Sequence, residues 1–167
     1  MSLERARRHA ARCPDLDDTR DVFHTLREGA RALRTIGVGA TRALGRAEAA
    51  HQQVDRRGRQ GQSRTGYATQ ARRQWRRAER IWDQAAAAET AWRHVRAAFE
   101  FFTPEGLLND RHRAEAVVAA ALPLLTGPTW AKTRRLLQRP ASFTSLDQGQ
   151  RRLAGLGLEP EVLSAVL

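Results

Sequence analysis

An all-α fold, an irregular helical bundle around one long helix with a flexible basic loop, is what this 167-residue chain predicts. Three observations lead there. Ala occurs 29 times against two Ile and eight Val, a composition that favours helix and leaves little to build strands from. Between Gln70 and Phe102 there is no Gly or Pro, and apolar or small residues recur at Trp75, Ala78, Trp82, Ala85, Ala88, Trp92, Val95, Phe99 and Phe102. Steps of three and four are helical periodicity, so this stretch is the expected long helix. From Arg56 to Gly66, by contrast, no apolar residue occurs at all. Such a segment cannot offset its ordering entropy by burial and reads as an exposed, mobile loop, or as a tolerated insertion joining two helices.

The remaining elements follow from caps and breakers. Ser2 to Arg12 can form a short basic helix that stops before Cys13-Pro14. A second helix is expected from about Thr19 to Ile36, with Val22, Leu26, Ala30 and Leu33 on one face and Gly37 and Gly39 ending or bending it. A third runs from Ala40 to about Asp55, with Leu44 and Val54 as its main anchors. The long helix should end at Thr103-Pro104. Asn109 or Asp110 starts the next, burying Ala114, Val117, Val118, Ala121 and Leu122 before Pro123. Gly127-Pro128 opens another, which Pro140 stops. Ser142 or Thr144 caps a helix through Leu146 and Leu153, closed by Gly155 and Gly157. A last helix begins at Glu159 and leaves Val162, Leu163, Val166 and Leu167 as an uncapped apolar end, a sign of truncation.

Charge bounds the partners. The net charge is +11, the pI is near 11.5, and every basic residue but Lys132 is Arg. An arginine excess favours a polyanion, because neutralised phosphates release counterions and a guanidinium grips phosphate with two bonds. The alternative is a compositional bias toward Arg together with solvated helix faces. Cys13 is the single cysteine, so no internal disulfide forms, which fits a reducing compartment. The first residues lack the apolar centre of a secretion signal, and the longest apolar run, Ala116 to Leu125, is about half of a membrane span. The expected location is the cytoplasm, with no membrane partner.

Catalytic candidates are few. Asp21, His24 and Glu28 are three and four residues apart, share a helix face and could approach a metal ion; equally, they could be a solvated polar side. His112 and Glu115 make a similar pair. Neither Ser2 nor Cys13 has neighbours that would activate a nucleophile.

The stretch Asp21-Val-Phe-His24-Thr-Leu-Arg-Glu28 resembles the region around the second catalytic aspartate of bacterial DDE transposases, where Asp-x-Phe-His at a strand end leads into a helix. Phe102-Thr-Pro-Glu-Gly-Leu-Leu-Asn-Asp-Arg111, Ala114-Glu115-Ala116, Leu122-Pro-Leu-Leu-Thr-Gly-Pro-Thr-Trp130 and Phe143-Thr-Ser-Leu-Asp147 are similar to the helical insertion that follows it in one group of these enzymes. The resemblance spans roughly residues 15 to 167. It implies an RNase H-like enzyme that cuts and joins DNA using Mg2+ or Mn2+ held by three carboxylates. Asp21 alone is carried over as catalytic and metal-binding. The first aspartate would lie upstream of Met1, and the Ser-Ser-x-x-Glu type stretch of the last glutamate is absent. Arg12 to Arg20 also lacks the apolar strand that should deliver Asp21.

The resemblance therefore implies a fragment, inactive alone and with no metal expected in isolation: 1–57 as N-terminal helices and a remnant of the catalytic core, 58–69 as the basic loop, and 70–167 as a truncated insertion-type domain. It implies that Arg56, Arg57, Arg59, Arg64, Arg72, Arg73, Arg76 and Arg77 clamp DNA, mostly at phosphates. The rival reading is a non-enzymatic helical module whose aromatic seam pairs with another copy to make a homodimer. For the tryptophans, core packing is expected ahead of base stacking, because their spacing follows one helical face.

Overall fold

The computed structural model describes residues 15–103 and 106–155, with side chains described for 22–103, 106–152 and 155. The helices expected at Ser2 to Arg12 and from Glu159 onward lie outside the described residues. The fold is all-α. Its α-helices are α1 (Asp15–Arg59), α2 (Thr65–Ala98), α3 (Arg111–Ala121), α4 (Ala131–Leu137) and α5 (Thr144–Gly155). Short 3-10 turns at Leu122–Leu124, Pro128–Trp130 and Pro140–Phe143 join the last three.

Two expectations at the start of the chain are corrected. Gly37 and Gly39 do not end a helix; α1 runs through both, so the two helices expected at 19–36 and 40–55 are one. Each glycine costs a helix interior about 1 kcal/mol relative to Ala. The flanking buried alanines, Ala32, Ala40, Ala43 and Ala47, outweigh that local preference. The segment expected as a loop at 58–69 is mostly helical: α1 continues to Arg59, α2 begins at Thr65, and five residues connect them.

The chain divides into two compact units, one of Met1–Ala30 with Ala91–Leu167 and the other of Arg31–Thr90, so each long helix contributes to both. In the larger unit the core is built from big side chains. Trp130, Leu125, Leu137, Leu146 and Val95 are fully buried, with Trp92, Phe99 and Phe143 close behind. Trp92 and Trp130 lie 5.7 Å apart in a tilted pair, and Phe99 stacks on Phe143 at 5.3 Å. Gly29 makes room for the Trp92 ring, which a Cβ at that position would strike.

The end of α2 in this unit comes at Ala98, four residues before the expected stop, and a distant residue sets it. Buried Asn109 donates from Nδ2 to the carbonyls of Ala98 (2.9 Å) and Glu100 (3.1 Å), taking up groups that helix termination leaves without partners. Its own backbone N–H donates to Phe101 O at 2.7 Å, beside the antiparallel bridge between Phe102 and Leu108. Of the two expected starts, Asn109 and Asp110, it is Asp110 that caps α3, accepting from Arg113 N at 2.7 Å; Ala114, Val118 and Ala121 are buried as expected, whereas Val117 and Leu122 are half-buried. Arg111 ties α3 to α5 by bonding Glu115 (2.7 Å) and Asp147 (3.0 Å), contacts that raise its pKa above the ordinary value.

Candidate nucleic-acid interface

The Arg31–Thr90 unit is a helical hairpin whose contact surface is made of alanine. Ala43, Ala47 and Ala78 form one buried cluster with Ile81 packed against it, and Ala40, Ala71 and Ala88 are also buried. Ala71 and Ala78 are seven residues apart, two helical turns, and so recur on one side of α2. Leu44 and Val54, expected as the anchors of this part of α1, are only half-buried.

A glycine cap reverses the chain at the tip. Gly61 has φ +68°, a conformation that glycine adopts without steric penalty. Gln62 N donates to Arg57 O (3.0 Å) and Gly61 N to Gly58 O (3.2 Å), the paired bonds of a Schellman motif. Two arginines reinforce the turn. Arg57 places its guanidinium 3.9 Å from the centre of the Tyr67 ring, and the Arg64 guanidinium lies over Gly58 where a Cβ would collide with it. The apparently featureless stretch is thus held by local hydrogen bonds and one cation–π contact.

All eight arginines expected to contact DNA fall in this unit. Arg56, Arg59, Arg64, Arg72, Arg73, Arg76 and Arg77 are exposed, and Arg57 is half-buried against Tyr67. Arg56, Arg57, Arg59 and Arg64 sit at the turn, and the other four follow within about 18 Å along α2 at 1.5 Å per residue. Arg73, Arg76 and Arg80 project opposite Ala71 and Ala78 by helical spacing, while Arg72 and Arg77 lie on the two flanks. Across Arg31–Thr90, thirteen arginines against five carboxylates give a net charge of +8, most of the chain's +11. Arg72 with Arg76 and Arg73 with Arg77 are like-charged i,i+4 pairs, each destabilising by about 0.2–0.5 kcal/mol until an anion is present.

The aromatic seam divides. Trp92, Val95 and Phe99 enter the core as expected, but Trp75 and Trp82 are 43% and 53% exposed. Buried contacts on this part of α2 are made by Ala71, Ala78 and Ala88 beside them, a detail that spacing along α2 does not reveal.

The acidic candidates lie in the other unit. Asp21 is inside α1, six residues past its start, and its side chain is outside the described residues. His24 is exposed with Phe23 edge-on at 6.2 Å. Glu28 pairs with Lys132 at 3.1 Å, and Glu115 is engaged by Arg111. Among the described residues no group of three or more His, Cys, Asp or Glu is placed to hold a metal ion. The described donors do not fit a two-metal centre. Among those residues, no helix is long and apolar enough to cross a membrane.

Compared with protein-family models, curated proteins and solved structures, the chain matches none of them.

Proposed function

We propose that this chain is a DNA-associated helical module that grips the phosphate backbone through the arginines of its Arg31–Thr90 hairpin. The observation that carries the reading is the concentration of charge: thirteen arginines in one unit, with repeated like-charge neighbours on α2. A flexible lysine surface would be indifferent to phosphate geometry, whereas guanidinium groups on rigid helices present forked donors at fixed spacing. Recognition of this kind positions a protein on a duplex and reads little sequence.

The resemblance around Asp21 and along 102–147 gives the module a lineage, that of a transposase-derived fragment. One carried-over carboxylate cannot hold two metal ions, so the isolated protein does not cleave DNA. Incubation of duplex DNA with Mg2+ or Mn2+ is expected to give no strand breaks. Robust turnover abolished by Asp21→Asn would overturn this part of the proposal.

Binding is tested by fluorescence anisotropy with a labelled duplex across a salt series. Each arginine at a phosphate contributes about −0.9 to the slope of log affinity against log salt, so six to eight such contacts give a slope of about −5 to −7. Arg73→Glu with Arg77→Glu should weaken binding to every sequence alike and lower the slope by about 2. An affinity indifferent to salt would remove the clamp.

A further inference from the structure

The flank of α2 that carries Trp75 and Trp82 has a second, independent pattern. Two grooves open on either side of Trp75. One of 780 Å³ is lined by Glu48, His51, Arg72 and Glu79 among others, and one of 500 Å³ by Leu44, Trp82 and Asp83. Both volumes are in the range that takes a drug-sized ligand, and so an indole. Beside the tryptophans runs a stripe of exposed charge at spacings of four, three and four: Arg72, Arg76, Glu79 and Asp83. It is basic toward the start of α2 and acidic toward the end.

Such a stripe complements itself only when reversed. Placed antiparallel, Arg72 faces Asp83 of another copy and Arg76 faces Glu79, while Trp75 comes opposite Trp82. Placed parallel, arginine meets arginine and carboxylate meets carboxylate. Large exposed aromatic groups rimmed by charge mark protein contact surfaces, and opposite charges in register select the partner and its direction.

We propose that a second copy of this chain docks on this flank, α2 antiparallel to α2 about a two-fold axis near residue 78, with each Trp82 seated in the groove beside the partner copy's Trp75. The interface is isologous and uses one patch on both copies. It engages Arg72 and Arg76 and leaves Arg73 and Arg77, which project away from Trp75 and Trp82, to the phosphate backbone, so the two contacts can be separated by mutation.

Light scattering over chain concentrations from the order of 1 to 100 µM tests it. Wild type is expected to form a dimer, and Trp75→Ala with Trp82→Ala to remain a monomer of unchanged helicity by circular dichroism. Arg72→Glu with Arg76→Glu makes the stripe wholly acidic, and Glu79→Arg with Asp83→Arg makes it wholly basic. Each variant alone should be monomeric, and a 1:1 mixture should recover the dimer, which also shows that both variants are folded. In a Cys13→Ser background, Glu79→Cys should crosslink to itself. Ala86→Cys should not, because reversal separates its two copies by more than about 20 Å along the axis. A wild type monomeric throughout, a dimer indifferent to both stripe variants, or crosslinking at both positions would each overturn the proposal. The Arg73→Glu, Arg77→Glu variant should dimerise like wild type, separating this contact from the DNA clamp.

Discussion

The two units of this chain solve the same packing problem with opposite materials. The unit formed by Met1–Ala30 and Ala91–Leu167 buries Trp92, Trp130, Phe99, Phe143 and several leucines, whereas Arg31–Thr90 buries alanines. A large aromatic side chain contributes about 1.5–3 kcal/mol when fully buried, and alanine contributes far less but allows helix backbones to approach closely. Stability in the first unit therefore rests on a few irreplaceable side chains. In the second it rests on helix propensity, a glycine cap and a seam of small residues. The same difference explains where the surface features lie, since a narrow alanine seam leaves the rest of each helix free for arginine and tryptophan.

The sharpest way to break this contrast is to delete the same side chain from both units. Trp130→Ala removes a fully buried ring and should cost about 3–5 kcal/mol in urea denaturation. Trp82→Ala, measured in dilute protein where copies are separate, should change stability by about 0.5 kcal/mol or less. Equal losses would mean that the tryptophans share one core after all.

A finer test uses two glycines of α1. Gly29→Ala drives a methyl group into the Trp92 ring and should destabilise by about 1–3 kcal/mol. Gly37→Ala meets nothing within 4 Å in a helical backbone and should stabilise by about 0.4–1 kcal/mol. Thermal melts of the two variants should shift in opposite directions, and a shared sign would sink the distinction. The smallest expected effect is at the hairpin tip. Arg57→Ala removes the contact with Tyr67 and should lower stability by about 0.5–1 kcal/mol, detectable as faster amide exchange near Gly61.

Much of the helical architecture was legible before any coordinates. The cap at Asp110, the stripe of Ala114, Val118 and Ala121, the break around Pro123 and the helix closing near Gly155 all follow from local rules. Of the candidate interface, the arginines and their helical phase on α2 were legible too, because charge and a period of 3.6 are properties of the chain itself. What escaped were features set by partners remote in sequence. Asn109 ends α2 from eleven residues away. The closure at Gly61 escaped for a different reason: it is held by local backbone bonds and contains no apolar residue to signal order. Ala40, Ala43, Ala47 and Ala71, which no sequence pattern singles out, join Ala78 and Ala88 of the periodic face among the hairpin's buried residues.

Composition, period and charge thus fixed that this protein is helical, that its arginines crowd onto a few turns and that aromatic residues share a face of α2. Only tertiary structure decided which tryptophans go inside, which glycine is indispensable and which acids are already paired. The physical reason is that periodicity assigns a residue to a side of its own helix, whereas burial depends on the size and shape of what packs against that side. Trp82 and Trp92 obey one spacing rule, but one lies beside an alanine seam and the other fills a gap over Gly29.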